Sequence, residues 1–233
     1  GYHALTNAGT VLGDVGADQN TAIGHLAMGT GTTTDATNNV AVGYKSLEDI
    51  TDGDYNSAIG AESLVSNTTG THNTAVGYGS LYNNATTGAN NTYLGYSAGK
   101  GASGAEANNV GIGSNALLAI TTGTLNTVIG SGAGVALTDS TGSTALGYQA
   151  LITEDQADYT VAIGAFALNK QNNGTGFSHN VGVGVSAGYY NVTGTNNTYL
   201  GSEAGAGASG NSNSNNVGVG KSALTAITTG SSM

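Results

Sequence analysis

The chain contains no cysteine, no proline, no tryptophan and no arginine. Without cysteine it has neither a disulfide framework nor a thiolate metal site. Its only cations besides histidine are Lys45, Lys100, Lys170 and Lys221, set against 14 acidic residues. Phosphate-backbone affinity rests on Lys and Arg, so no nucleic-acid partner is expected. No apolar run approaches the roughly 18 residues of a membrane-spanning helix, so no membrane insertion is expected. Charged residues make up 8% of the chain, far below the about 25% of an ordinary domain. Disordered chains are charged, Pro-rich and poor in β-branched residues, and this one is none of these. What is present is 40 Gly with abundant Thr, Val, Ile and Asn, a composition of short strands joined by tight turns. The chain starts at Gly1 without a signal peptide, which we read as an internal fragment or a processed product.

The 233 residues repeat one unit, N-[T/V/S]-x-[I/L/V]-G-x-x-[A/S]-[L/G], followed by a variable polar loop. Its glycines are Gly24, Gly43, Gly60, Gly77, Gly95, Gly113, Gly130, Gly147, Gly164, Gly184, Gly201 and Gly220, and a truncated copy opens the chain at Gly1. Spacings are mostly 17 or 18, with 19, 20 and 23 as exceptions and none shorter than 17. A fixed minimum with occasional insertions describes a coil whose turns can bulge but not shrink. A larger period overlies this one. "NNTYLGYSAGKGASG" from Asn90 recurs as "NNTYLGSEAGAGASG" from Asn196, six units later. Duplicating a six-coil block lengthens a fibre; it does not build a single active site.

Each column of the repeat has a physical meaning. The first is Asn in ten of twelve units, with Ser143 and Thr160 in the others; stacked Asn side chains can form a hydrogen-bonded ladder. The invariant Gly marks a backbone conformation or close approach that a Cβ would block. The alternation of Thr or Val with an aliphatic predicts that Ile23, Val42, Ile59, Val76, Leu94, Ile112, Ile129, Leu146, Ile163, Val183, Leu200 and Val219 form one buried structural core. Each unit then reads as two short strands and two turns, and neighbouring units must stack to bury their apolar faces. The expected fold is an all-β parallel β-roll, or β-solenoid, of about 13 coils spanning residues 1–233 as a single repetitive segment.

Eight units carry Leu or Met four residues after the Gly: Met28, Leu47, Leu64, Leu81, Leu117, Leu151, Leu168 and Leu224. Four carry Gly99, Gly134, Gly188 or Gly205 there. Turned to solvent, that column would be an apolar stripe of a kind soluble monomers rarely expose. Turned to a threefold axis, it predicts an obligate homotrimer. The alternative is that it fills the coil's own interior.

The units "NTAVGYGSL…TTGANNTYLGYSAG" and "NNVGIGSNALLAITTGTLNTVIG" resemble the head repeats of YadA-like trimeric autotransporter adhesins and the repeat shafts of phage tail-fibre-like proteins. The resemblance covers essentially the whole chain. It implies a left-handed roll, three chains to a fibre, exposed outside the cell on a cell surface or a virion, with a glycan or protein receptor as partner. Adhesin heads have shorter units than these, and this sequence carries neither a coiled-coil stalk nor a self-cleaving C-terminal chaperone.

Other motifs carry less. "GVGKS" at Gly218 lacks the first Gly of a phosphate loop, where Asn215 stands, and the G-x-G-x-x-A patterns at Gly182 and Gly218 are explained by the repeat itself. Glu48, Asp49, Asp52 and Asp54 share one loop, and Glu154, Asp155 and Asp158 its counterpart. Oxygen-rich loops are calcium candidates; the plainer reading is a solvated loop. Paired carboxylates can also hydrolyse glycosides, but no aromatic platform accompanies them in sequence and no catalytic role is expected. Tyr44, Tyr78, Tyr96 and Tyr148, with Tyr2, fall in one column and are expected to pack between chains or against loops. His3, His25, His72 and His179 show no metal-ligand spacing. The expectation is a non-enzymatic fibre segment, shaft or adhesive head, presenting a receptor-binding surface. The alternatives are an ice- or mineral-binding solenoid, whose Thr column is interrupted by Val40, Val110, Val161, Val181 and Val217, and a depolymerase on a β-helical scaffold.

Overall fold

The computed structural model describes residue 4 and residues 19–29, 35–83, 87–174, 176–209 and 212–227. The truncated first unit falls outside these residues except for Ala4. The strands in chain order are β1 (Thr21–Ile23), β2 (Val40–Val42), β3 (Ser57–Ile59), β4 (Thr74–Val76), β5 (Thr92–Leu94), β6 (Val110–Ile112), β7 (Thr127–Ile129), β8 (Thr144–Leu146), β9 (Ala157–Asp158), β10 (Val161–Ile163), β11 (Gly176–Phe177), β12 (Val181–Val183), β13 (Thr198–Leu200) and β14 (Val217–Val219). Twelve of them form one parallel sheet in chain order, while β9 and β11 pair separately. The register never slips: Thr21 meets Val40, Val40 meets Ser57, and so on to Thr198 and Val217. Parallel neighbours without a helical crossover mean that the chain winds once round between strands. This is the β-solenoid expected from the repeat, with twelve stacked strands extending over roughly 53 Å at about 4.8 Å each. In the same column as β9 and β11, single parallel bridges link Ala89, Ala107, Thr124 and Thr141 of four successive units.

The interior differs from the expectation in one respect. The aliphatic column is not the core. Ile23 is 58% exposed and Val219 64%; Ile59, Leu146 and Leu200 are also exposed, and Val42, Val76, Leu94, Ile112, Ile129, Ile163 and Val183 are half-buried. The reason is parity. Side chains alternate across a strand, so the residue two after the Asn shares the Asn's face, and the aliphatic three after it points the other way. The Asn faces inward, and so does the central residue of each strand: Ala41, Ala58, Ala75, Tyr93, Val128, Ala145, Ala162 and Tyr199 are all fully buried. The opposite wall supplies Leu47, Leu64, Leu81, Leu117, Leu151 and Leu168, also fully buried. The Leu column therefore fills the coil's own interior, and the threefold-core role expected for it is corrected.

The two walls are matched in volume in every described coil but one, where Gly182 and Gly188 are both small and Leu168 and Tyr199 of the adjoining coils fill the space, at 2.5 and 2.9 Å from a Cβ built on Gly188. Where the strand residue is Ala, the facing position is Leu or Met. Where it is Tyr93, Val128 or Tyr199, the position four after the repeat glycine is Gly99, Gly134 or Gly205. A Cβ on Gly99 would stand 2.6 Å from Tyr93 Cε1, and one on Gly205 2.2 Å from Tyr199 Cδ1. Large-for-small exchange keeps a narrow interior filled without overpacking.

The Asn ladder runs through this interior. Asn56 donates its backbone N–H to Asn39 Oδ1 at 2.8 Å and its Nδ2 to the same oxygen at 3.1 Å, while Nδ2 also reaches across the coil to the Gly70 carbonyl at 2.8 Å. Asn73, Asn91, Asn109 and Asn126 repeat the backbone link. At Ser143 and Thr160 hydroxyls take over: Ser143 accepts the Thr160 N–H at 3.3 Å, and Thr160 Oγ1 bonds Ser178 Oγ and Gln171.

Tight corners place residues other than glycine in the left-handed region in coil after coil, among them Leu47 at φ +50° and Leu117 at φ +50°. Each such residue costs about 1 kcal/mol, less for Asn. Leu125 sits at φ +60° and is 60% exposed, so it bears the strain with little burial in return. Leu125→Asn is expected to raise the unfolding free energy by roughly 1 kcal/mol in a denaturant titration. A lowered midpoint would show that its side chain contributes more than its backbone costs.

Candidate interaction surfaces

The residues singled out as calcium ligands are not brought together. Among the described residues, no group of three or more His, Asp or Glu side chains is placed to hold a metal ion. Glu48 is buried and pairs with Lys45 Nζ at 3.1 Å. Asp49 is half-buried and Asp52 exposed. Asp54 Oδ1 accepts the Thr37 N–H at 2.7 Å and its hydroxyl at 2.9 Å. In the matching loop Glu154 is buried and accepts N–H groups of Gln156 and Asn173 at 3.4 and 3.3 Å. Asp155 gives its backbone carbonyl to Thr138, and Asp158 Oδ1 accepts the Thr141 N–H at 2.6 Å. The acidic loops are thus fastened to neighbouring coils, and the calcium expectation for all seven residues is corrected. Gly182 and Gly218, of the dinucleotide-like patterns, lie at the centres of β12 and β14 and face the interior.

One buried acid went unnoticed in the sequence. Glu106 is fully buried, and among the described residues neither of its carboxylate oxygens has a hydrogen-bond partner; the nearby Tyr93 hydroxyl is likewise buried and unpaired. The second super-repeat has Asn213 at this place, and the backbone carbonyls of Glu106 and Asn213 accept equivalent bonds from Asn91 and Asn197. Burial pushes the Glu106 carboxyl up to about 7, offset only in part by the nearby N–H groups of Glu106 and Gly104. The folded state therefore holds this proton between about pH 4.5 and 7 while the unfolded chain has released it, so stability falls as pH rises through that window. Glu106→Gln is expected to raise stability by about 3 kcal/mol at pH 8 and to change it little at pH 4. Equal effects at both pH values would disprove the linkage.

Two surfaces remain on the outside. The first is the outer face of the twelve-stranded sheet. It carries the Thr/Val column and the aliphatic column side by side, including Ile23, Ile59, Leu146, Leu200, Val217 and Val219 as exposed side chains. The second is a pair of aromatic columns at the corners flanking the strands. After the repeat Gly, His25 stacks on Tyr44 with centroids 5.6 Å apart, and Tyr78 on Tyr96 at 5.7 Å; Tyr148 meets Phe166 edge-on at 5.3 Å. Before the Asn, Tyr55 stacks on His72 at 4.9 Å and Tyr159 on His179 at 5.9 Å. The Tyr column found in the sequence thus lies exposed on the rod. The His residues, which looked unrelated, stack with tyrosines of both columns; they fall in register only once the coils are aligned. Tyr2 and His3 lie outside the described residues.

No helix among the described residues is long and apolar enough to cross a membrane. No family model matches the chain, and no curated protein sequence aligns with it significantly.

Proposed function

We propose that the chain is a segment of a non-enzymatic structural fibre, shaft or adhesive head, displayed outside the cell on a cell surface or a virion. In this reading three copies pack through the outer sheet face, and the rod holds a receptor-binding surface at a distance. The observation that carries it is the exposed apolar strip. Each coil is already complete inside, yet a double column of Thr, Val, Ile and Leu, with Ser57 at one place, faces outward over about 50 Å, exposed at Ile23, Ile59, Leu146, Leu200, Val217 and Val219 and half-buried at the other aliphatics. Such a strip asks for cover, and identical coils in unbroken register offer an identical strip at the same height on another copy. The number three comes from the repeat's resemblance to trimeric fibres. It agrees with the closed symmetry of most homo-oligomers.

Light scattering at low micromolar concentration tests the association. The expected particle has three times the mass of the 22.7 kDa chain. Ile112→Asp should reduce it to a single folded chain, because Asp there meets a partner and not the coil interior. A 22.7 kDa particle for the unaltered protein would sink the trimer.

One observation favours a second reading. Thr and aliphatic side chains in fixed register at about 4.8 Å intervals also suit an ice or mineral lattice. Val at positions 40, 110, 161, 181 and 217 breaks the hydroxyl rows. Thermal hysteresis from the monomer would support this reading over the fibre.

A further inference from the structure

We propose that two equivalent groups on one edge of the rod, Asp54–Tyr55–His72 and Asp158–Tyr159–His179, are binding platforms for a neutral pyranose polymer. The residue before each buried Asn, or its Thr160 counterpart, lies in the left-handed region, at φ +57° for Tyr55, +58° for His72, +54° for Tyr159 and +49° for His179. Asn is the low-cost occupant of that conformation, and Asn38, Asn90, Asn108, Asn196 and Asn215 take it in other coils. Placing aromatic rings there instead costs backbone strain. The chain accepts this cost twice, at the same places of successive super-repeats, six units apart. Leu125 bears the same strain in this column, so it is the recurrent pairing of Tyr with His in adjacent coils, and not the strain alone, that points to a use for these side chains.

The geometry describes that use. Tyr55 is 55% exposed and Tyr159 50%, and both histidines are exposed. Tyr55 and His72 stack within 24° of parallel and Tyr159 and His179 within 6°, so the rings are held in place before any ligand arrives. Phe177, 60% exposed, widens the second platform, lying 5.4 Å from His179 and 5.8 Å from Tyr159. Beside each platform stands one carboxylate, Asp54 or Asp158. In both, Oδ1 is held by the N–H of the preceding coil's Thr37 or Thr141, and Oδ2 makes no hydrogen bond to the described residues. A pyranose has an apolar C–H face and a rim of hydroxyl donors. In each pair the rings take up one another's faces, so the groups they leave for that rim are the Tyr hydroxyl and the His ring nitrogens, together with the oriented carboxylate oxygen. The net charge of −10 and the paired acids oppose sulfated or uronic chains.

The two platforms lie six coils, roughly 29 Å, apart on the same edge. A polymer spanning both gains avidity of about 10²-fold or more over a fragment that reaches only one. The site deepens the receptor-binding role proposed above but does not depend on the trimer: particle mass tests one, titration the other.

The experiment is affinity electrophoresis and calorimetry of the purified chain against hydroxyethylcellulose, with cellotriose, heparin and polylysine as separate arms. The variants are Tyr55→Asn, Tyr159→Asn and the double change, which keep the fold because Asn is this column's own residue; Tyr96→Ala serves as a control in the other aromatic column. The expected result is retention by hydroxyethylcellulose, weaker binding of cellotriose, a loss of about 10²-fold for either single variant, and abolition in the double variant. Tyr96→Ala should leave retention unchanged. No retention, retention that survives the double variant, or binding to heparin or polylysine alone would each overturn the proposal.

Discussion

Gly113→Ala is expected to lower the melting temperature by about 10 °C, by parting the sheet between β6 and β7. Gly113 has φ +129°, a region open almost only to glycine. A Cβ there would also stand 2.6 Å from both the carbonyl carbon and oxygen of Gly130 in the next coil. Neither atom can move away, since both belong to the backbone that defines the coil spacing. Strain and clash together cost about 4 kcal/mol. Gly174→Ala separates the two contributions. Gly174 also has positive φ, +71°, but nothing lies within 4 Å of its added Cβ, so only about 1 kcal/mol is expected. Equal melting of the two variants would show that coil contact at the Gly column does not matter.

Asn109→Ala is expected to cost a similar amount, about 4 kcal/mol, for a different reason. Asn109 Oδ1 is the acceptor for the Asn126 N–H at 3.0 Å and its Nδ2 at 3.1 Å, and Asn109 Nδ2 donates to the Gly123 carbonyl at 2.7 Å. Alanine leaves the Asn126 N–H and the Gly123 carbonyl buried without these partners, at roughly 1–3 kcal/mol each. Asn109→Ser should be milder, because Ser143 already accepts a following N–H in the same column. Calorimetric melts that fail to rank wild type above Ser above Ala would rule out the ladder as the cause.

Much of the fold could be read from the sequence because the repeat is so regular. Period, stacking direction, the Asn ladder and the Gly contact all follow from columns that allow few residue types. The parity of the strand is harder to read, because an Ile, Val or Leu column looks more like a core than an Ala, Gly or Tyr column does. The sequence did contain the deciding sign. Gly99, Gly134 and Gly205 replace Leu in the coils where Tyr93, Val128 or Tyr199 replaces Ala. Such exchange has meaning only if the two columns face each other. Glu106 was hidden because nothing in its own loop marks it; only alignment with Asn213 shows that an acid stands where a neutral amide serves. The Asp–Tyr–His platforms were hidden because the Tyr and His of each lie a full coil apart in sequence and meet only when the coils are stacked.

The regular register also gives the rod a mechanical character. The hydrogen bonds between coils point along its long axis, so a pull on the two ends loads the coil boundaries in series. A chain of links in series yields at its weakest link, whatever the strength of the rest. That link lies in the stretch from Ser143 through Thr160 to Asn180, where hydroxyls stand in for the Asn amide oxygen: a single 3.3 Å bond joins the Thr160 N–H to Ser143, and Thr160 Oγ1 turns to Ser178 and Gln171. Under tension in an optical trap the rod is expected to lengthen there first. Restoring both amides with Ser143→Asn and Thr160→Asn should raise the force of the first event; an unchanged force would place the weak link elsewhere.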